Sequence, residues 1–187
     1  MKNISIILLL VGVSSAVFSQ TNKDYLAWSS TRRLTVNDFE IKTETVKNHP
    51  SFAHFVITYN VKGFDFMAKN FNKKISNYMI KSASWIDTSY NVSTSLKYQQ
   101  TLFDMAEVYT RRFRKELREN RKKIAFGTDF IDKMNSDIMD EFTKRRLVYD
   151  SETKFGSDAL AQKRWEIDIQ MELDTLKEFS DELTSKQ

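Results

Sequence analysis

The apolar residues of this chain change their spacing near Tyr90, and that change divides the molecule. Before it, from about Trp28 to Ile86, apolar and polar residues alternate and β-branched and aromatic types are frequent, the two-residue period of strands. After it the apolar residues recur at three and four. Leu102, Ala106, Tyr109, Phe113 and Leu117 stripe one face of a helix expected from about Ser95 to Lys123. Phe130, Met134, Ile138 and Phe142 stripe a second, to about Val148. Trp165, Ile169, Leu173, Leu176, Phe179 and Leu183 stripe a third, running to the C-terminus. Gly127 is expected to end the first helix, and Thr128 or Asp129 to cap the second. Pro50 is the only proline, which suits long uninterrupted helices.

Within the first part, Phe52 to Val61 is the clearest strand, with Phe39 to Val46 as its expected partner across the turn Lys47-Asn-His-Pro50. Lys74 to Ser82 is a further strand candidate, and Phe64 to Phe71 is either a strand or the start of a helix. Strands followed by helices predict an α+β fold: a small antiparallel sheet in the N-terminal part packed with three long C-terminal helices.

The first nineteen residues have the form of an export signal. Lys2 supplies a positive start, Ile4 to Val13 an apolar run, and Ser14, Ser15, Ala16 and Ser19 the small residues of a cleavage region. Cleavage is expected after Ser19, with Ala16 the alternative. A membrane span needs about 20 apolar residues, and this run has roughly half that, so a transmembrane anchor is not expected. No cysteine follows it to carry a lipid. Residues 20–187 then form a single domain, of a size that buries a core without staples. With no Cys in the chain there are neither disulfides nor thiolate metal sites, so stability falls to packing by 14 Phe, 7 Tyr and 3 Trp. A net charge of +4 is mild and dispersed, and with no reader motif a nucleic-acid partner is not expected.

Three segments, taken together, resemble a family of exported bacterial proteins predicted to be zinc-dependent peptidases, first catalogued as a domain of unknown function. One is Trp28-Ser-Ser-Thr-Arg-Arg-Leu-Thr-Val-Asn-Asp-Phe39. The second is Ser84-Trp85-Ile86, then Tyr98-Gln-Gln-Thr-Leu-Phe-Asp104 and Tyr109-Thr-Arg-Arg. The third is Tyr149-Asp-Ser-Glu-Thr-Lys-Phe-Gly156 with Gln162 and Trp165 beyond it. The resemblance implies a zinc-peptidase-like fold. It also implies a zinc site in which the middle segment reads His-Glu-x-x-His-Phe-Asp on a helix, and a further His precedes the Gly of the third. Here Tyr98 stands at the first His, Gln99 at the Glu, Leu102 at the second His and Phe155 at the third. Phe103, Asp104 and Gly156 keep the register.

These replacements remove the chemistry. Neutral Tyr is a poor zinc ligand, and Leu and Phe carry no lone pair. Gln99 cannot take a proton as a general base. The only histidines, His49 and His54, lie around a turn and strand and are expected on different faces, as surface or half-buried residues. No metal or other cofactor and no catalytic residue is therefore expected. If no such peptidase ancestor existed, Tyr98, Leu102 and Phe155 are ordinary core positions, and the present chemistry is the same.

A second surface candidate is a basic stripe of Arg111, Lys115, Arg118 and Lys122, about 16 Å long at helical rise. It suits an acidic surface, or it is a solvated face that complements a helix C-terminus. The carboxylates Glu107, Asp132, Asp137, Asp140, Glu141 and Glu152 show no pair in an apolar setting. The expectation is a zinc-peptidase-like pseudoenzyme, exported to the periplasm or the exterior of a Gram-negative cell, soluble or peripheral to the outer membrane. It would bind, most simply, another envelope protein. A structural subunit of an outer-membrane-associated complex and a hydrolase using non-metal residues are the alternatives.

Overall fold

The computed structural model describes residues 23–44, 49–61, 65–68, 70–124 and 129–181. The export signal and the Gly127–Thr128 helix boundary lie outside the described residues. Strands β1 (Tyr25–Ala27), β2 (Ile41–Thr43), β3 (Ser51–Tyr59) and β4 (Ile75–Asp87) precede helices α1 (Val92–Glu119), α2 (Arg121–Ile124), α3 (Asp129–Thr153) and α4 (Ala159–Thr175). This is an α+β fold, with sheet residues first and helices after.

The sheet is built around β4, the one strand long enough to serve three partners. β3 pairs antiparallel along most of it, from Ser51 opposite Ile86 to Tyr59 opposite Ile75. The other edge is shared: β1 runs antiparallel beside residues 78–80, and β2 runs parallel beside residues 85–87. Two expectations are corrected here. The sheet is mixed rather than wholly antiparallel, and β2 pairs with β4 instead of forming a hairpin with β3. The segment before β3 is not a hairpin arm because β4 takes both the β3 edge and the β2 edge.

Between Phe52 and His54 the β3 register jumps from Trp85 to Ile80 on β4. The bulged residues are satisfied by side chains, as backbone groups near a core must be. Ser84 Oγ donates to the Ile80 carbonyl at 2.6 Å and accepts from His54 N at 3.1 Å. Asp24 accepts from Ser82 N at 2.7 Å and from its hydroxyl at 2.8 Å.

α1 is the axis of the fold, about 42 Å long by its residue count. Asn91 caps it, its side chain accepting from Thr94 N at 3.2 Å. It packs against the sheet, α3 and α4, so it is buried nearly all round instead of along one stripe. Phe103 stacks on Phe55 of β3 with ring centroids 5.0 Å apart, and Phe113 meets Tyr59 edge-on at 5.5 Å. The helix stops at Asn120, and Arg121–Ile124 form a separate short turn, so the expected single helix to Lys123 is two. α3 runs on to Thr153, past the expected end. α4 stops at Thr175 and is followed by a 3-10 turn, Lys177–Phe179, so the third helix does not continue as far as its apolar stripe. Residues 65–67, expected as strand or helix start, form a 3-10 turn.

Candidate functional site

Of the four positions that correspond to zinc chemistry, Tyr98 and Phe155 come together where α1 meets the turn between α3 and α4. Tyr98, Gln99 and Leu102 sit in the first three turns of α1 and are all but fully buried. Phe155 stands in the α3–α4 turn, where Lys154, Phe155 and Gly156 all have positive φ, at 48°, 56° and 85°. Such a run is costly for side-chain-bearing residues and persists only where the surroundings enforce it. Thr153 Oγ1 accepts from Gly156 N at 3.2 Å, Phe155 N donates to the Asp150 carbonyl at 3.1 Å, and Asp158 N to that of Thr153 at 2.9 Å. Glycine at 156 is required twice over: by its φ, and because a Cβ there would lie 2.8 Å from Tyr98 Cβ.

Tyr98 and Phe155 converge in a cluster of aromatic rings. The Tyr98 ring stacks on Tyr149 at 5.1 Å and meets Phe155 edge-on at 6.2 Å; His49 covers Phe155 at 4.1 Å. The Tyr98 hydroxyl donates a short hydrogen bond to Asp150 Oδ1. Burial and the neighbouring Asp150 raise the Tyr98 pKa far beyond its ordinary value, so the phenol stays protonated. Burial also raises the Asp150 carboxyl, against the opposing pull of the Tyr98 hydrogen bond, Arg146 and His49. Gln99 Nε2 donates to Ser51 Oγ at 3.0 Å, while its Oε1 is buried without a partner, as is Ser95 Oγ one turn earlier. A metal site needs converging lone pairs with room for the ion. These residues offer an amide turned toward Ser51, a phenol held by a carboxylate and two hydrocarbon side chains, and they do not fit zinc. Among the described residues no cluster of His, Asp and Glu is arranged to hold a metal ion.

The three segments that carry the resemblance meet around this place. Trp28 Nε1 donates to Asp104 Oδ1 at 2.8 Å, Gln100 Nε2 to the same oxygen at 2.9 Å, and Arg33 Nη1 to Oδ2 at 3.0 Å. Tyr149 donates to Gln162 Oε1 at 2.7 Å, and Gln162 Nε2 to Thr101 Oγ1 at 2.9 Å. Trp165 packs edge-on to Tyr149 at 5.3 Å. Searches of protein-family models, curated proteins and solved structures return no match. The chain stands on its own geometry.

The sequence set His49 apart from the site, yet it lies on Phe155, just ahead of β3. No periodicity marks a residue placed by a turn.

The basic stripe does not exist as one surface, which corrects its reading as an exposed face. Arg111 is buried at 5% exposure, with Nε on Glu107 Oε1 at 3.0 Å and Nη1 on the Leu173 carbonyl at 2.7 Å. Lys115 is exposed beside Glu119, and Arg118 reaches Asn72 Oδ1 at 3.3 Å while lying over the Phe179 ring. Lys122 belongs to the separate turn α2. The stripe assumed one straight helix with solvent on that side; α4 and the Lys177–Phe179 turn occupy it instead.

Beneath lies an ionic cluster that sequence reasoning missed. Arg114 is fully buried and donates to Glu107 Oε1 at 2.9 Å, to the Ile75 carbonyl at 2.6 and 3.1 Å and to that of Phe179 at 2.9 Å. Burial pushes the Glu107 carboxyl up, and Arg114 and Arg111 pull it back. Glu107 is the buried carboxylate that the surface reading of the acids did not anticipate. Arg114, which Glu107 neutralises, ties α1 to the sheet and to the chain after α4.

Open space is found elsewhere on α1. A groove of about 810 Å³ runs between the first half of α1 and α4, bounded at one side by Arg33 and Leu34. Val92, Leu96, Ile167 and Met171 give it apolar walls; Ile167 and Met171 are 48% and 55% exposed. Gln100, Thr101 and Asp104 form its polar floor.

Proposed function

We propose that this chain is a non-catalytic, zinc-peptidase-like exported protein that acts as a binding or accessory module in the bacterial envelope. The observation that carries this reading is the occupation of the Tyr98 and Phe155 positions by packed aromatic rings. Gln99 is fixed on Ser51, Tyr98 on Asp150, and Phe155 lies between Tyr98 and His49. A general base needs a protonatable group within reach of a substrate water, and a metal needs ligands. Neither requirement is met by Gln99, Leu102 or Phe155, and the Tyr98 phenol stays protonated. Among the described residues no helix is long and apolar enough to cross a membrane. Export rests on the Lys2 to Ser19 pattern.

The groove between α1 and α4 supports binding, because it is a concave, largely apolar surface of ligand-site size. Metal analysis and a peptide-library cleavage assay on the purified mature chain test the reading. The expected result is substoichiometric zinc and no cleavage that chelator abolishes. One zinc per chain with chelator-sensitive peptidase activity would overturn it.

A further inference from the structure

We propose that the α1–α4 groove binds a free long-chain monocarboxylate, with the acyl chain against Leu96, Ile167 and Met171 and the acidic head at Lys97. The inference rests on the binding reading above and names its ligand class.

Three features of the groove select this chemistry. Its volume, about 810 Å³, falls within the range of small-molecule sites, and it follows α1 from Val92 to Asp104, about 18 Å. Its floor asks nothing of a ligand. Gln100 Oε1 already accepts from Leu34 N at 2.8 Å, and its Nε2 is given to Asp104. Thr101 Oγ1 donates to the Lys97 carbonyl at 3.1 Å and accepts from Gln162. Asp104 takes three donors. A peptide would bring backbone donors and acceptors over a floor whose polar groups are already engaged, at the cost of leaving those that face it unpaired. A hydrocarbon chain brings none.

The third feature is charge. Of the three cations that line the groove, Arg33 is paired with Asp104 at 3.0 Å and Lys163 with Glu166 at 3.5 Å. Lys97, exposed on the α1 rim, has no carboxylate within ion-pair distance among the described residues. One unneutralised cation beside an apolar trough complements one anionic head on an apolar tail.

The test is a titration of the mature chain with hexadecanoate and hexadecan-1-ol, below their aggregation limits, followed by displacement of a fluorescent fatty-acid probe. Saturable binding at one hexadecanoate per chain is expected, with the alcohol weaker. Lys97→Gln should bring hexadecanoate down to the level of the alcohol. Ile167→Glu should weaken both by roughly tenfold or more, the loss expected when an apolar wall becomes charged. Met171→Glu provides a second wall variant should the first fail to fold, as judged by circular dichroism. Absence of saturable binding, or binding unchanged in a folded wall variant, would overturn the proposal. So would sedimentation with phosphatidylglycerol vesicles in place of free-acid binding, or displacement of the probe by peptides alone. Each of those results leaves the zinc and peptidase assays untouched, so the two readings fail separately.

Discussion

The first half of α1 has two sides that differ in what they leave open. Toward Ser51 and the α3–α4 turn, Tyr98, Gln99 and Leu102 are all but fully buried, with Tyr98 held by Asp150 and the Gln99 amide nitrogen by Ser51. Toward α4, Val92, Leu96, Lys97 and Asp104 line a groove whose opposite wall keeps half-exposed Ile167 and Met171. The side that corresponds to chemistry by resemblance is the filled one. The side with room carries no such signature. Side chains cost the most to change where a helix is enclosed and the least where it borders solvent, and binding is built from the second kind of surface.

This contrast can be broken by substitution, beginning with the largest effect. Leu102→Ala on the sealed side should destabilise the chain by about 2–5 kcal/mol, because the cavity cannot collapse between α1 and its neighbours; urea unfolding measures it. Gly156→Ala should cost about 1–3 kcal/mol, since the new Cβ meets Tyr98 Cβ and the left-handed backbone disfavours it. A thermal midpoint unchanged from the parent would show that the turn is not locked to α1.

A smaller effect is expected from pH. The Asp150 carboxyl is raised above its ordinary value, chiefly by burial, so the folded state holds that proton more tightly than the unfolded chain. Its contribution to stability therefore rises as pH falls from neutrality through the raised pKa, and levels off below about pH 4, the unfolded carboxylate range. Asp150→Asn should flatten that part of the profile. The difference between parent and variant isolates it from Asp104 and Glu107, which are raised in the same direction by burial. Smallest of all, Ile167→Glu on the open side should stay within about 0.5 kcal/mol of the parent. A larger loss would mean that the groove wall is core.

The helical half was legible because its apolar stripes are long and regular. Leu102, Ala106, Phe113 and Leu117 are all buried as their spacing predicts. The α+β class followed from the change of period. The pairing of β2 was not legible, since three residues carry too little pattern to choose between β3 and β4. Arg111 was misread, and Arg114 missed, for a different reason. Their partners include the carbonyls of Leu173, Ile75 and Phe179, and a backbone acceptor leaves no mark in the side-chain sequence. The groove escaped notice because Ile167 and Met171 lie off the α4 stripe, where isolated apolar residues are ordinary. Tyr98, Gln99, Leu102 and Phe155 were singled out together. That Tyr98 and Phe155 close on one another became visible only with the positive-φ turn at 154–156.

Asp104 holds the indole of Trp28 on one oxygen and forms part of the groove floor. The Arg111 guanidinium lies over the same indole, 5.2 Å from its centre. Any occupant that perturbs Asp104 alters the field on that ring, and indole emission follows its local field. Trp28 is joined to the groove by that carboxylate, so its emission is expected to shift when the groove fills.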